Sequence, residues 1–317
     1  MKRILIFIIA TALCFVGIAC KRTTPVKEEE KKVNVVTTIF PVYDWVKNVA
    51  GNNADITMLL DSGVDLHSYQ PSTDDLIKIS NCDLFIYVGG ESDEWVETAL
   101  KAVPETMLTI NLMDILKDDL KEEDEFDEPD KQDTDEVEYD EHIWMSVRNA
   151  SKCIDVISKA LKQLDSKNAD TYEKNTSAYK ASLNDIDQEF KKVVENADVK
   201  TVVVGDRFPY KYLMNDYGIE YFAAFSGCSA ESEASFETVI SLAKQIDKNK
   251  LKTVICTESN NSIAEVIVSN TKTKDQQILC IHSMQGVTIK DIENGASYLA
   301  YMRSNINALR DALKTEE

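Results

Sequence analysis

Apolar, β-rich runs alternate with amphipathic helical stretches along most of the chain, the signature of parallel α/β layers. In the first half VNVVTT (33–38), DITMLL (55–60), LFIYVG (84–89) and TMLTI (106–110) read as strands, with helices near 41–50, 73–80 and 93–102. The second half repeats the scheme with TVVVG (201–205), IEYFAAF (219–225), KTVICT (252–257) and QILCIH (277–282). Its helices fall near 209–216, 234–247, 262–270 and 291–314. Between the halves, from Val147 to Asn196, there is neither proline nor glycine. Apolar residues there recur at helical spacing: Ile154, Ile157, Leu161 and Leu164, then Tyr172, Tyr179, Leu183, Ile186 and Phe190. A break near 165–167 predicts a helix, a short turn and a second, longer helix. Thirty helical residues span roughly 45 Å, enough to back both halves and limit how far they swing.

The first nineteen residues form an export-like segment: Lys2 and Arg3 precede an apolar run that ends in Gly17-Ile18-Ala19-Cys20. Such a segment is removed and is not read as structure. A small residue before Cys20 looks like a lipoprotein signal, with Cys20 lipidated; an ordinary signal peptide or an uncleaved anchor is the other reading. Residues 20–32 are charged, contain Pro25, and read as a solvated tether. Nothing later is long and apolar enough to span a bilayer, which puts the mature protein outside the cytoplasmic membrane. The expected organisation is therefore 1–19 signal, 20–32 tether, 33–146 first lobe, 147–197 connecting helices and 198–317 second lobe.

The formal charge of −20 disfavours nucleic acid as a partner. It is concentrated: residues 118–141 carry net −13, leaving −7 for everything else. That acidic stretch reads as a surface loop, either a solvating insertion or a weak cation-collecting arm. Seven cysteines fall to five after loss of Cys14 and lipidation of Cys20, and no C-x-x-C pair exists. Neither a disulfide scaffold nor a zinc ribbon fits. Cys82, Cys256 and Cys280 lie in apolar contexts and read as core, and Cys256 pairs with Cys280 only if their strands are neighbours.

Candidate chemistry rests on the three histidines. His67 sits in the turn-rich GVDLHSYQPS (63–72), His142 in DEHIWMS (140–146) before a helical stretch, and His282 at the carboxyl end of a strand. In α/β sheets ligands bind in the crevice at such ends. Neutral imidazole is also the commonest ligand for borderline metals. A shared metal site follows as the expectation. Three imidazoles with one carboxylate, thiolate or water favour Zn²⁺ over Mn²⁺ or Mg²⁺.

With these motifs the chain resembles the zinc and manganese solute-binding proteins of bacterial ABC importers, also described as lipoprotein adhesins. The marks are TTIFPVYDWVKNVAG (37–51), Gly-x-x-x-His-x-Tyr-x-Pro (63–71), DEHIWMS (140–146), FPYKYLMNDYGIEY (208–221) and SAESEASFETV (229–239). The resemblance spans 33–315. It implies two β/α lobes with mainly parallel sheets, one long backbone helix, and a metal held in the interlobe cleft by two residues from each lobe. His67 and His142 match the first and second ligand positions, and His282 the fourth. At the third, where relatives carry His or Glu, this chain has Gly205. Asp206 is the first substitute, then Glu231, Glu233 or Cys228 in GCSAESE (227–233), then water. Arg207 opposes a nearby cation unless it pairs with Asp206 or Glu231. Asp65, Asp140, Glu141 and Ser283 are placed to orient the ligands.

The expected function is that of a monomeric, lipid-anchored receptor that captures zinc, with manganese as the alternative, and delivers it to an ABC permease. An adhesin with a structural metal is a second reading. A zinc hydrolase is a third, but it lacks an H-E-x-x-H motif and a general base apart from the proposed ligands.

Overall fold

A computed structural model describes residues 31–101, 103–104, 106–124, 137–227, 234–258 and 261–314. The export segment, Cys20, the central part of the acidic stretch, and Cys228, Glu231 and Glu233 lie outside the described residues. Residues 33–317 form one compact unit.

The first lobe runs β1 (Val33–Thr37), α1 (Phe40–Ala50), β2 (Ala54–Met58), α2 (Thr73–Ser80), β3 (Leu84–Tyr87), α3 (Trp95–Leu100), β4 (Leu108–Asn111) and α4 (Leu112–Ile115). The connector is α5 (Val147–Leu164) followed by α6 (Ala169–Glu195). The second lobe runs β5 (Thr201–Arg207), α7 (Lys211–Tyr217), β6 (Glu220–Phe225), α8 (Phe236–Asn249), β7 (Thr253–Cys256), α9 (Ser262–Ser269), β8 (Gln277–Cys280), α10 (Ile289–Glu293) and α11 (Tyr298–Ala312). Both sheets are parallel, and they share one topology, β2-β1-β3-β4 and β6-β5-β7-β8. The same order in both halves puts two sets of strand ends and their loops at the disposal of one cleft.

The connector is a helix pair, as the spacing of its apolar residues requires. Ser146 caps α5 by accepting from the Asn149 N–H at 3.1 Å, which satisfies a donor the helix start leaves open. A 3₁₀ turn at Ser166–Asn168 separates the two helices. Asp165 in that break accepts from the Tyr172 hydroxyl at 2.6 Å, which fixes the angle at which α6 departs. At 1.5 Å per residue the 27-residue α6 is about 40 Å long. It packs on α1 of the first lobe and α11 of the second. Trp45, Trp144, Tyr172, Phe190 and Tyr298 are fully buried in this shared core. Tyr298 on α11 donates to the Trp144 carbonyl at 2.6 Å, and Asp44 on α1 accepts from the Tyr179 hydroxyl at 2.9 Å.

One sequence expectation is corrected. The stretch 291–314 is two helices, α10 and α11, because Gly295 adopts φ +97° and Ser297 then caps a fresh start at Ala300 N–H.

Candidate functional site

His67 enters the cleft from a turn just past the carboxyl end of β2. Asp65 begins that turn, its Oδ1 accepting from the His67 N–H at 3.0 Å. The ring's Nδ1 meets Ser92 Oγ at 2.8 Å. His142 is fully buried ahead of α5. Asp140 Oδ1 takes both its backbone N–H at 2.8 Å and its ring Nδ1 at 3.2 Å. Gly227 of the second lobe closes over this ring; a Cβ there would sit 2.9 Å from His142 Cε1. With Nδ1 engaged on each ring, the Nε2 atoms face one another at 3.3 Å.

A third side chain joins them. Gln285 reaches across from the loop after β8, its Nε2 2.9 Å from His142 Nε2 and 3.3 Å from His67 Nε2. An amide N–H₂ has two protons to give, and it stands within reach of both ring nitrogens, able to donate to each that presents a lone pair. Gln285 is the residue beside this pair that sequence reasoning did not name. The signal available was its place, three residues after His282 at a strand's carboxyl end. Searching only imidazole, thiol and carboxylate side chains passed over an amide. A second pointer is Met284, a buried non-glycine residue at φ +66°. Such a left-handed residue is costly and persists where the surroundings demand it. Its N–H donates to His282 Nδ1 at 3.0 Å, turning the chain so that Gln285 faces the cleft.

The structure does not bring His282 or Asp206 to this pair. His282 lies over Tyr301, ring centroids 3.9 Å apart, and its backbone N–H and carbonyl are both held by the Asn305 side chain. Asp206 is buried and accepts from Thr257 Oγ1 at 2.5 Å and the Arg207 N–H at 2.8 Å. A side chain at 205 would run into α9, since a Cβ on Gly205 lies 2.7 Å from Ala264 Cα. Among the described residues, no three His, Cys, Asp or Glu side chains are grouped so as to hold a metal ion.

The surrounding polar groups have definite tasks. Glu141 Oε1 accepts from the Ser92 N–H at 3.0 Å, holding the turn that meets His67. Ser283 Oγ donates to Glu258 Oε1 at 2.6 Å, while its carbonyl accepts from Trp144 Nε1 at 2.8 Å. Arg207 Nη1 crosses from β5 to Asp65 Oδ2 at 2.8 Å. Burial, and then the neighbouring His142, push the His67 pKa down to about 4, so this ring is neutral at physiological pH. Burial opposes charge on His142 too, but the Asp140 carboxylate outweighs it and raises that pKa. A cavity of about 100 Å³ opens beside the pair; Asp65, Arg207, Glu258 and Gln285 are on its wall, and neither imidazole is. The amide therefore stands between the mouth and the ring nitrogens.

This geometry can accept a small electrophile between two ring nitrogens, once His142 is deprotonated, with an amide at the third side. The chain is similar to the zinc-binding lipoprotein AdcA of Streptococcus pneumoniae (strain ATCC BAA-255 / R6), 28% identical over 320 residues that cover 100% of this chain and 62% of that protein. The chain thus spans less than two thirds of the length of that relative. It is 25% identical over 315 residues to the high-affinity zinc uptake system protein ZnuA of Bacillus subtilis (strain 168), covering 97% of each. The Zn(II)-bound ZnuA-like domain of Streptococcus pneumoniae AdcA superimposes with a TM-score of 0.71 at 26% identity, over 89% of this chain and 99% of that one. The family model described as zinc-uptake complex component A, periplasmic (ZnuA), matches residues 35–312, and the chain belongs to that family.

Proposed function

We propose that the protein is the extracytoplasmic receptor of an ABC importer for zinc, binding the ion through Nε2 of His67, Nε2 of His142 and the side-chain oxygen of Gln285. The observation that carries this reading is the 3.3 Å between the two Nε2 atoms. Nitrogens each about 2.0–2.1 Å from a tetrahedral zinc are about 3.3 Å apart, so the spacing already suits the ion. Both rings are oriented through Nδ1 by a hydroxyl or carboxylate, the arrangement that holds a ligating imidazole in the correct tautomer. On loading, the Gln285 amide turns over, so that Oε1 replaces the donor N–H₂ at the ring nitrogens. Water supplies the fourth position. The donor set is neutral and nitrogen-rich, which suits zinc better than manganese.

The export segment 1–19, lipid attachment at Cys20 and the tether 20–32 place this receptor on the outer face of the cytoplasmic membrane, where a permease takes over the ion. It works as a monomer and performs no chemistry on its cargo; binding and release are the whole function. The similarity to a zinc-binding lipoprotein and to a high-affinity zinc uptake protein supports this reading.

The test is native mass spectrometry of protein purified without added metal, followed by Zn²⁺ and Mn²⁺ competition. One zinc per chain is expected, with His67→Ala and His142→Ala each losing affinity by orders of magnitude at an unchanged Tm of the metal-free protein. Full affinity in either variant places the ion elsewhere; a preference for manganese overturns the assignment of cargo.

A further inference from the structure

Strands β7 and β8 pair in parallel with Cys256 directly opposite Cys280. Neighbouring strands lie about 4.7–4.9 Å apart, inside the roughly 4.4–6.8 Å Cα separation that a disulfide spans. Side chains at directly opposed positions point to the same face, so the two sulfurs emerge side by side. Among the described residues strand β8 is the edge of its sheet, and it adjusts more easily than an interior strand. Cys280 is exposed while Cys256 is buried. Among the described residues the remaining cysteines are Cys82 and Cys153, both buried, with burial pushing their thiols up to about 11 and about 12. Those two are buried packing groups; the pair on β7 and β8 differs in having a partner across the ladder and one exposed thiol.

We propose that Cys256 and Cys280 are a dithiol–disulfide pair, closed by exchange with a small-molecule disulfide and stitching edge strand β8 to β7 beneath the loop that carries Gln285. Cys280 is the exposed member. The neighbouring Cys256 and burial hold its thiol well above the ordinary pKa, so its thiolate forms rarely and exchange is slow. Once formed, that thiolate attacks one sulfur of the small disulfide. That bond breaks, a small thiolate leaves, and Cys280 carries a mixed disulfide. The Cys256 thiolate then attacks the Cys280 sulfur and expels the second small thiolate. The protein gives up two protons and two electrons, and the small disulfide takes both to become two thiols.

The stitch lies close to the site in sequence and in bonding. Glu258 follows Cys256 by two residues, and its carboxylate holds the Ser283 N–H and hydroxyl at 2.9 and 2.6 Å. Ser283 Oγ in turn accepts from the Gln285 N–H at 3.3 Å. Tying β8 to β7 removes freedom from both strands just before this run. The inference stands whether or not the chain carries zinc.

The experiment treats the metal-free full chain with oxidised glutathione, alkylates remaining thiols and maps tryptic peptides by mass spectrometry. Trypsin places Cys256 in 253–272 and Cys280 in 275–290. The expected product is these two peptides joined, separated again by dithiothreitol, with Cys82 and Cys153 alkylated only after unfolding. The oxidised protein should melt several degrees higher than the reduced one, and Cys256→Ala should stop at the mixed disulfide on Cys280. Recovery of both cysteines alkylated, a link from either one to Cys228, or a stable glutathione adduct on Cys280 in the wild type overturns the proposal. The peptide map of the wild type decides even if the variant fails to fold.

Discussion

Arg207 Nη1 stands 2.8 Å from Asp65 Oδ2, so the last residue of β5 in the second lobe grips the turn that presents His67 in the first. Burial pushes the Asp65 pKa up, but the His67 N–H and the Arg207 charge together hold it below the ordinary carboxylate value. The pair is partly solvated, with side chains 31% and 26% exposed, which limits its contribution to about 0.5–1 kcal/mol. Its effect is local order. Arg207→Gln is expected to speed amide hydrogen exchange across 66–69 several-fold while lowering Tm by only a degree or two. Exchange at the wild-type rate would mean that Asp65 holds the turn unaided.

Gln285 is a neutral donor where a charged one fits. Gln285→Glu keeps the length of the side chain and puts a carboxylate against the two Nε2 atoms, adding Coulomb attraction to a divalent ion in a poorly solvated place. Zinc affinity at neutral pH is expected to rise tenfold or more in competition with a chromophoric chelator, and Gln285→Ala to lower it by a similar factor. Unchanged affinity in both variants would remove Gln285 from the coordination shell.

The contrast between Gln285 and the histidines shows what the sequence could reveal. The lobes, the order of strands and helices, and the break in the connector all follow from local periodicity and from Ser and Gly punctuation, so they were legible. His67 and His142, which the sequence singles out, do come together, and each is preceded two residues earlier by an aspartate that accepts its N–H. The side chain from the second lobe was not legible. Whether His282 or Gln285 reaches the cleft depends on one left-handed residue, Met284, and on Tyr301 and Asn305 drawing His282 the other way. Those are tertiary facts with no local pattern. The division of 291–314 failed for a smaller reason, the φ of Gly295, which a helical periodicity reading cannot see.

Gly205 occupies the position where the family resemblance expects a ligand, and the packing explains why restoring one should fail. A Cβ there meets Ala264 Cα at 2.7 Å and its N at 2.9 Å, backbone atoms of α9 that cannot step aside alone. Gly205→Ala is expected to cost about 1–3 kcal/mol through this overpacking. Gly205→His should cost more and bring no gain in zinc affinity. Urea denaturation measures the first and chelator competition the second. A stable, tighter-binding Gly205→His protein would show that β5 and α9 can separate.

Asp93 makes the stability of the first lobe sensitive to pH. Its Oδ2 accepts from the Val88 and Gly89 N–H groups at 2.9 and 3.0 Å, and the residue is 3% exposed. Burial, with the neighbouring Glu141 charge, pushes its pKa up to about 7. In the unfolded chain the same carboxyl ionises near its ordinary value of 3.8. Between those two values the folded protein holds a proton that the unfolded chain has lost. Stability therefore falls as pH rises from about 4 to about 7, and is flat beyond. Asp93→Asn keeps an oxygen for both N–H groups and cannot ionise. Relative to that variant, the wild type should lose stability steadily between about pH 4 and about pH 7 in urea titrations, and no further above that. Because Asp93 ends the 3₁₀ turn that contains Ser92, the same ionisation should loosen the hydroxyl that orients His67. Parallel stability profiles for the two proteins would mean that Asp93 is ionised in the fold throughout this range, its charge met by the two backbone donors alone.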